Sequence, residues 1–191
     1  MDPTTAIGSV LAAFGLSGAA GLNAWLPLFF SALLVRLGVV DLGSPVEELS
    51  STVGVVVLGL LTTLDFVGDK VPAVDHVLHG VGAVVAPVSG ALLFTGQAGL
   101  ETDLPTLVTV VLGAVTAGSI HAGRATVRPA STAATGGAAN PLLSFVEDVV
   151  AGAMTLFAFV LPVLALVLVI VVLVAVVVVW RRLARWRRRP A

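Results

Sequence analysis

The sequence predicts an all-α, polytopic membrane protein of about six transmembrane or re-entrant helices, arranged in two pseudo-symmetric, inverted halves. Three observations predict it. The chain of 191 residues is 58% hydrophobic and only 11% charged, with a mean hydropathy of +1.09, whereas soluble domains carry about 25% charge. Its apolar runs are continuous and do not alternate polar with apolar, so they suit helices and exclude barrel strands. Short segments of the first half are echoed in the second. The division that follows is a single integral-membrane domain over 1–191, with a first half about 5–98, a second half about 103–182 and a basic tail at 181–191.

The first apolar run, residues 7–38, is longer than the roughly 20 residues a span requires. Its middle holds Ser17-Gly18-Ala19-Ala20-Gly21, Asn23 and Pro27. Small residues permit close helix contact, and a proline withdraws one backbone donor. A kinked or broken helix is expected. Residues 41–51 (DLGSPVEELSS) form a short acidic loop, and 52–67 make a second span. Pro72 suits the first turn of a new helix, with Asp75 favoured near its positive end. This third span runs to about residue 96, with Pro87 inside it.

Glu101 and Asp103 mark another acidic loop, followed by a fourth span at 104–127 that ends in HAGRATVRP. ASTAATGGAANP reads as a small-residue loop, and Asn140-Pro141 as a helix start with Asn140 as the N-cap. Residues 149–180 carry no charge. As one helix they would be about 48 Å long, too long for a hydrocarbon core of about 30 Å. The run therefore divides near Leu161-Pro162 into a fifth and a sixth span.

Six of the ten basic residues, Arg181, Arg182, Arg185, Arg187, Arg188 and Arg189, lie in the last eleven positions. The positive-inside tendency places this tail in the cytoplasm, next to anionic lipid. Alternating six spans backwards then puts Lys70, Arg124 and Arg128 inside and Asp41, Glu47, Glu48, Glu101 and Asp103 outside, with Arg36 the exception. The expectation is a multi-pass protein of the cell inner (cytoplasmic) membrane with both termini cytoplasmic. The N-terminus lacks the basic region of a signal peptide and is read as leading directly into the first span. With no cysteine, disulfides, thiolate metal sites, iron–sulfur clusters and thiol-linked lipids are excluded.

Between the second and third spans lies LDFVGDKVPAVDHVLH, residues 64–79, where four charges and two histidines interrupt the hydrocarbon. Ionisable groups at such positions are costly unless paired, hydrated or functional. LDFVGDKV, residues 64–71, is echoed by LSFVEDVV, residues 143–150, which aligns Asp69 with Asp148. Ser17 to Pro27 is echoed by Ser119 to Pro129. Three spans per half would insert the halves in opposite senses, the arrangement many secondary transporters use to build a site from broken helices.

AGLNAWLPL, then DKVPAVDH, then HAGRATVRPASTAATGGAANPLLSFVEDV give the chain a family resemblance. It resembles a bacterial membrane family known as domain of unknown function 4126, over nearly its whole length. The resemblance implies a multi-span inner-membrane protein and supplies no activity.

Asp65 and Asp69 are four residues apart and share a helical face, as do His121, Arg124 and Arg128. If the motif copies meet, Asp65, Asp69, Asp75, Glu147 and Asp148 outnumber Lys70, Arg124 and Arg128 by two charges. Such a surplus suits a cation or protons; the same groups also suit ion pairs that lock the halves together. Asp75, His76 and His79 stand at helical steps compatible with a metal, a proton relay or interfacial hydrogen bonds. STAATGGAANP, which ends in Asn140-Pro141, could offer amides to an anion or be a plain connector; it is no Walker loop. No nucleophile–base set or cofactor motif is present, so neither an enzyme nor a bound cofactor is expected. Nucleic-acid binding is not expected of a tail this close to the bilayer.

The leading reading is a transporter or channel-like protein for a small ion or proton-coupled solute, with Asp69 and Asp148 as the central pair. The alternative is a non-transporting scaffold or assembly protein with a structural charge cluster. A homo-oligomer is compatible with either.

Overall fold

The computed structural model describes residues 3–69 and 72–187. The described residues form eight helices and no strand: α1 (Pro3–Leu22), α2 (Leu26–Arg36), α3 (Val46–Leu49), α4 (Thr52–Gly68), α5 (Pro72–Ala98), α6 (Thr106–Thr135), α7 (Asn140–Val160) and α8 (Pro162–Arg187). Five of them, α1, α5, α6, α7 and α8, are long and apolar enough to cross a membrane. α2 and α4 are shorter apolar helices.

α1 is the centre of the bundle, and its small residues put it there. Ser17 Oγ donates to the Gly90 carbonyl at 2.9 Å and Ser9 Oγ to the Gln97 carbonyl at 2.6 Å, so α1 runs antiparallel to α5. A Cβ on Gly15 would lie 2.6 Å from Ala165, and one on Gly21 2.6 Å from the Ala117 carbonyl. Glycine thus brings α8 and α6 to backbone distance from α1, the contact on which helix association in lipid depends. α8, by contrast, turns Val163, Val167, Ile170, Val171 and Val174 outward. In lipid that exposure needs no cover, because acyl chains are as apolar as valine.

The expected break in the first run is present, and it does more than kink the helix. α1 ends at Leu22 and α2 starts at Leu26. The Asn23 side-chain carbonyl accepts from the Trp25 and Leu26 amides at 3.0 and 2.9 Å, satisfying donors at the start of α2. The chain then reverses. Beyond α2, the Gly43 amide donates to the Gly96 carbonyl at 2.8 Å, at the end of the bundle where Ala6 and Ile7 of α1 adjoin Glu101 to Leu104. α1 and α2 are therefore a helical hairpin, where a single crossing of 7–38 was expected.

This reversal corrects the topology expected from six alternating spans. Gly15 adjoins Ala165 and Gly18 adjoins Val169, so α1 and α8 run parallel. The start of α1 and the end of α8 consequently lie at opposite ends of the bundle, not on one side.

The other boundaries follow local chemistry. α5 starts at Pro72 and contains Pro87, and the long apolar run does divide at Leu161, with Pro162 opening α8. α6 differs from expectation. It continues through Pro129 to Thr135 and stops where Gly136 takes a left-handed conformation, φ 63°, so most of ASTAATGG is helix. Alanine's high helix propensity accounts for the extension, and the Thr132 and Thr135 hydroxyls find acceptors within it in the Arg128 and Ser131 carbonyls. Asn140 opens α7 but does not cap it, since its amide donates to Thr132 Oγ1 at 2.9 Å.

Candidate functional site

The charged residues converge at the end of the bundle where α1 breaks. Gly68, the last residue of α4, lets α5 pack closely there: a Cβ on it would lie 2.5 Å from Leu78 Cδ1. Asp65 and Asp69 at the end of α4 face Ser144, Glu147 and Asp148 on α7, with Arg124, Arg128 and His121 supplied by α6.

Asn23 is the hub. It is 2% exposed, and its Nδ2 donates to Asp65 Oδ2 at 3.0 Å and to Asp148 Oδ1 at 2.9 Å. Its Oδ1 is already bound to the Trp25 and Leu26 amides. All four hydrogen-bonding positions of the amide are filled, and exchanging O for N would set donor against donor and acceptor against acceptor. The orientation of Asn23 is therefore fixed by its neighbours.

The arginines hold the other two carboxylates. Arg124 Nη2 lies 2.8 Å and Arg128 Nη2 2.9 Å from Glu147 Oε2. Arg128 Nη2 also lies 3.6 Å from Asp69 Oδ2, which accepts from the Ser144 hydroxyl. Arg124 Nη1 donates to the Leu22 carbonyl, placing a cation at the negative end of α1. Beside this network is a cavity of about 30 Å³ lined by Trp25, Asp65, Asp69, Gly82, His121 and Arg124, among others. Gly82 makes room for the imidazole: a Cβ there would lie 2.6 Å from His121 Cε1.

Of the candidate residues read from the sequence, Asp65, Asp69, His121, Arg124, Arg128, Glu147 and Asp148 come together here. Asn140 bonds to Thr132, one turn beyond Arg128. Lys70 and the side chains of Asp75, His76 and His79 lie outside the described residues. Among the described residues, no group of three or more His, Asp or Glu side chains is placed to hold a metal ion.

Residues 10–182 match the family described as Domain of unknown function (DUF4126). The chain belongs to the DUF4126 family. No curated protein and no solved structure matches it.

Two residues of this DUF4126 site, Asn23 and Ser144, escaped the sequence-based list. Signals for both existed. Asn23 is the one side-chain amide in the run 7–38, inside AGLNAWLPL, and Ser144 occupies the position of Asp65 when LSFVEDVV is laid on LDFVGDKV. Asp69 and Asp148, expected as the central pair, both lie in the cluster with different partners: Asp148 meets Asp65 through Asn23, and Asp69 meets Ser144 and Arg128.

Proposed function

We propose that this chain is an inner-membrane protein that passes protons or a small monovalent cation, with Asp65 and Asp148 as the carrying carboxylates. The observation that carries this reading is their convergence, from α4 and α7, on one buried amide at a helix break beside a small cavity. A space of about 30 Å³ is the volume of about one water molecule. That volume favours a proton or bare ion over an organic solute. Among the described residues, the cluster brings together the carboxylates Asp65, Asp69, Glu147 and Asp148 and the guanidinium groups of Arg124 and Arg128, and clustered carboxylates in a cleft draw cations. Intramembrane carboxylates of this kind commonly serve ion or proton paths.

The arrangement of the two motif copies supports a duplicated, two-fold related origin. Exchanging aligned positions turns the Asp69–Ser144 contact into Asp148 with Asp65, the pair that Asn23 bridges. The other echo has diverged: Ala125 stands where alignment would place a second Asn23, and α6 continues unbroken.

Flux in liposomes tests the reading. Asp65→Asn and Asp148→Asn are expected to fold yet to lose at least about 90% of proton or sodium flux, a modest estimate for losing an intramembrane charge carrier. Normal flux in both variants would remove the carboxylates from the path. A non-transporting scaffold is the second reading, favoured by the engagement of Arg124 and Arg128 with Glu147 and Asp69. It predicts that the Asn variants are destabilised and that wild-type liposomes show no flux.

The exposed Arg181, Arg182 and Arg185 support an orientation with the charged end of the bundle in the cytoplasm, beside anionic lipid. In that orientation the start of α1, at the other end of the bundle, faces outside. Single cysteines at Thr4 and Thr102 are expected to react with an impermeant maleimide from the same, external face of intact cells. Labelling of the two from opposite faces would contradict the hairpin.

A further inference from the structure

We propose that Asn23 is a positioning residue that couples the charge state of Asp65 and Asp148 to the α1–α2 hairpin. This inference rests on the reading of those two carboxylates as the groups that take up a proton or cation.

The geometry gives one rigid amide two separate duties. On one side, Nδ2 holds a carboxylate oxygen from α4 and another from α7. On the other, Oδ1 holds the Trp25 and Leu26 amides that begin α2. Both duties require the same orientation, because the amide has two donors and one acceptor oxygen with two lone pairs. With ionised carboxylates, both Nδ2 bonds are charge-assisted and hold the amide firmly. A proton on the pair weakens that hold. A cation between Asp65 and Asp148 attracts the amide oxygen and repels its N–H groups, which favours rotation away from the observed state. Rotation about the Cβ–Cγ bond carries Oδ1 off the Trp25 and Leu26 amides. Loss of those bonds unfastens the start of α2.

The surroundings make this movement consequential. α1 ends at Leu22, whose carbonyl accepts from Arg124, so the tail of α1 is anchored to α6. Trp25 borders the cavity together with Asp65, Asp69, His121 and Arg124. A change at Asn23 is therefore expressed on the α2 side of the hairpin and at the cavity wall.

Amide hydrogen exchange of the segment 24–28 in nanodiscs tests the coupling. Asp65→Ala with Asp148→Ala removes both acceptors and is expected to accelerate exchange at Trp25 and Leu26 about fivefold, the scale of losing a helix cap. Asn23→Ser keeps a hydroxyl able to cap α2 but has no amide donors for the carboxylates. In that background, the same two alanine substitutions are expected to change exchange by less than about twofold, their link to α2 being absent. Unchanged exchange in the native background, or equal acceleration in both backgrounds, would overturn the proposal.

Exchange at 12–16, in the middle of α1, reports whether the bundle is intact. Should the double variant disturb it, Asp65→Ala and Asp148→Ala are compared singly in the same two backgrounds, with the same criteria. Flux is measured on the same preparations. Absence of wild-type flux with the exchange pattern intact would remove the transport reading and leave the coupling standing. Flux with no dependence of exchange on Asn23 would remove the coupling alone.

Discussion

Arg128→Ala is expected to destabilise the protein by about 3–5 kcal/mol, the range for removing one partner of a buried ion pair. The Arg128 side chain is 7% exposed and that of Asp69 6%. Arg128 Nη2 sits between Glu147 Oε2, at 2.9 Å, and Asp69 Oδ2, at 3.6 Å. Among the described residues, removing the guanidinium leaves Glu147 with Arg124 and leaves Asp69 with the Ser144 hydroxyl, which cannot neutralise a buried charge. Thermal unfolding in detergent, followed by loss of the monodisperse peak, reads the effect. Adding Asp69→Asn to Arg128→Ala is expected to recover part of the loss, because it removes the stranded charge. Arg36→Ala is the control. Arg36 is exposed and donates to the Ser50 carbonyl at 3.3 Å, so its replacement is expected to cost no more than about 0.5 kcal/mol. A similar loss for both arginines would mean that burial of the cluster is not what makes Arg128 matter.

Gly113→Leu is expected to separate α5 from α6 and to cost about 3 kcal/mol or more, at the upper end for overpacking. The two helices cross through a reciprocal pair of glycines. A Cβ on Gly90 would lie 2.6 Å from the Gly113 carbonyl oxygen, and one on Gly113 would press on the Gly90 carbonyl and lie 2.7 Å from Phe94 Cβ. The obstructing atoms are mostly backbone, so a rotamer change cannot relieve the clash. Phe94 is fully buried and meets Phe14 edge-on at 5.0 Å between ring centroids, so strain at the crossing also reaches α1. Gly118, on the same helix, supplies the contrast: a Cβ there meets only Pro87, at 3.4 Å. Gly118→Ala is expected to be neutral or slightly stabilising, through alanine's better helix propensity. Equal thermal stability of Gly113→Leu and wild type would show that the α5–α6 approach is not set by this crossing.

Much of the architecture was legible because lipid narrows the options to long apolar helices. Continuous hydrophobic runs marked α4, α5, α6, α7 and α8, and prolines marked the starts of α5 and α8. The end of α6 was less legible. Pro129 and two glycines suggested a loop, but a proline inside a helix removes a single donor, and the alanine-rich turns beyond it stayed helical to Thr135. The sequence likewise identified seven of the converging charged or titratable residues, because a charge within hydrocarbon stands out wherever it lies.

By itself, then, the sequence determined the membrane class, the helical spans and the set of polar groups that needs partners. It left open which of those groups meet. Only the tertiary structure decided that Asp148 shares Asn23 with Asp65, that Asp69 goes to Ser144 and Arg128, and that the first apolar run folds back on itself. The physical reason is the same in each case. Apolar periodicity specifies that a segment is buried in lipid or protein, but partner choice depends on where helix ends and side-chain donors converge in space. Asn23 was visible from the start as a polar residue before a proline; its fourfold hydrogen bonding, and with it the reversal of α2, exists only once α1, α4 and α7 are packed together.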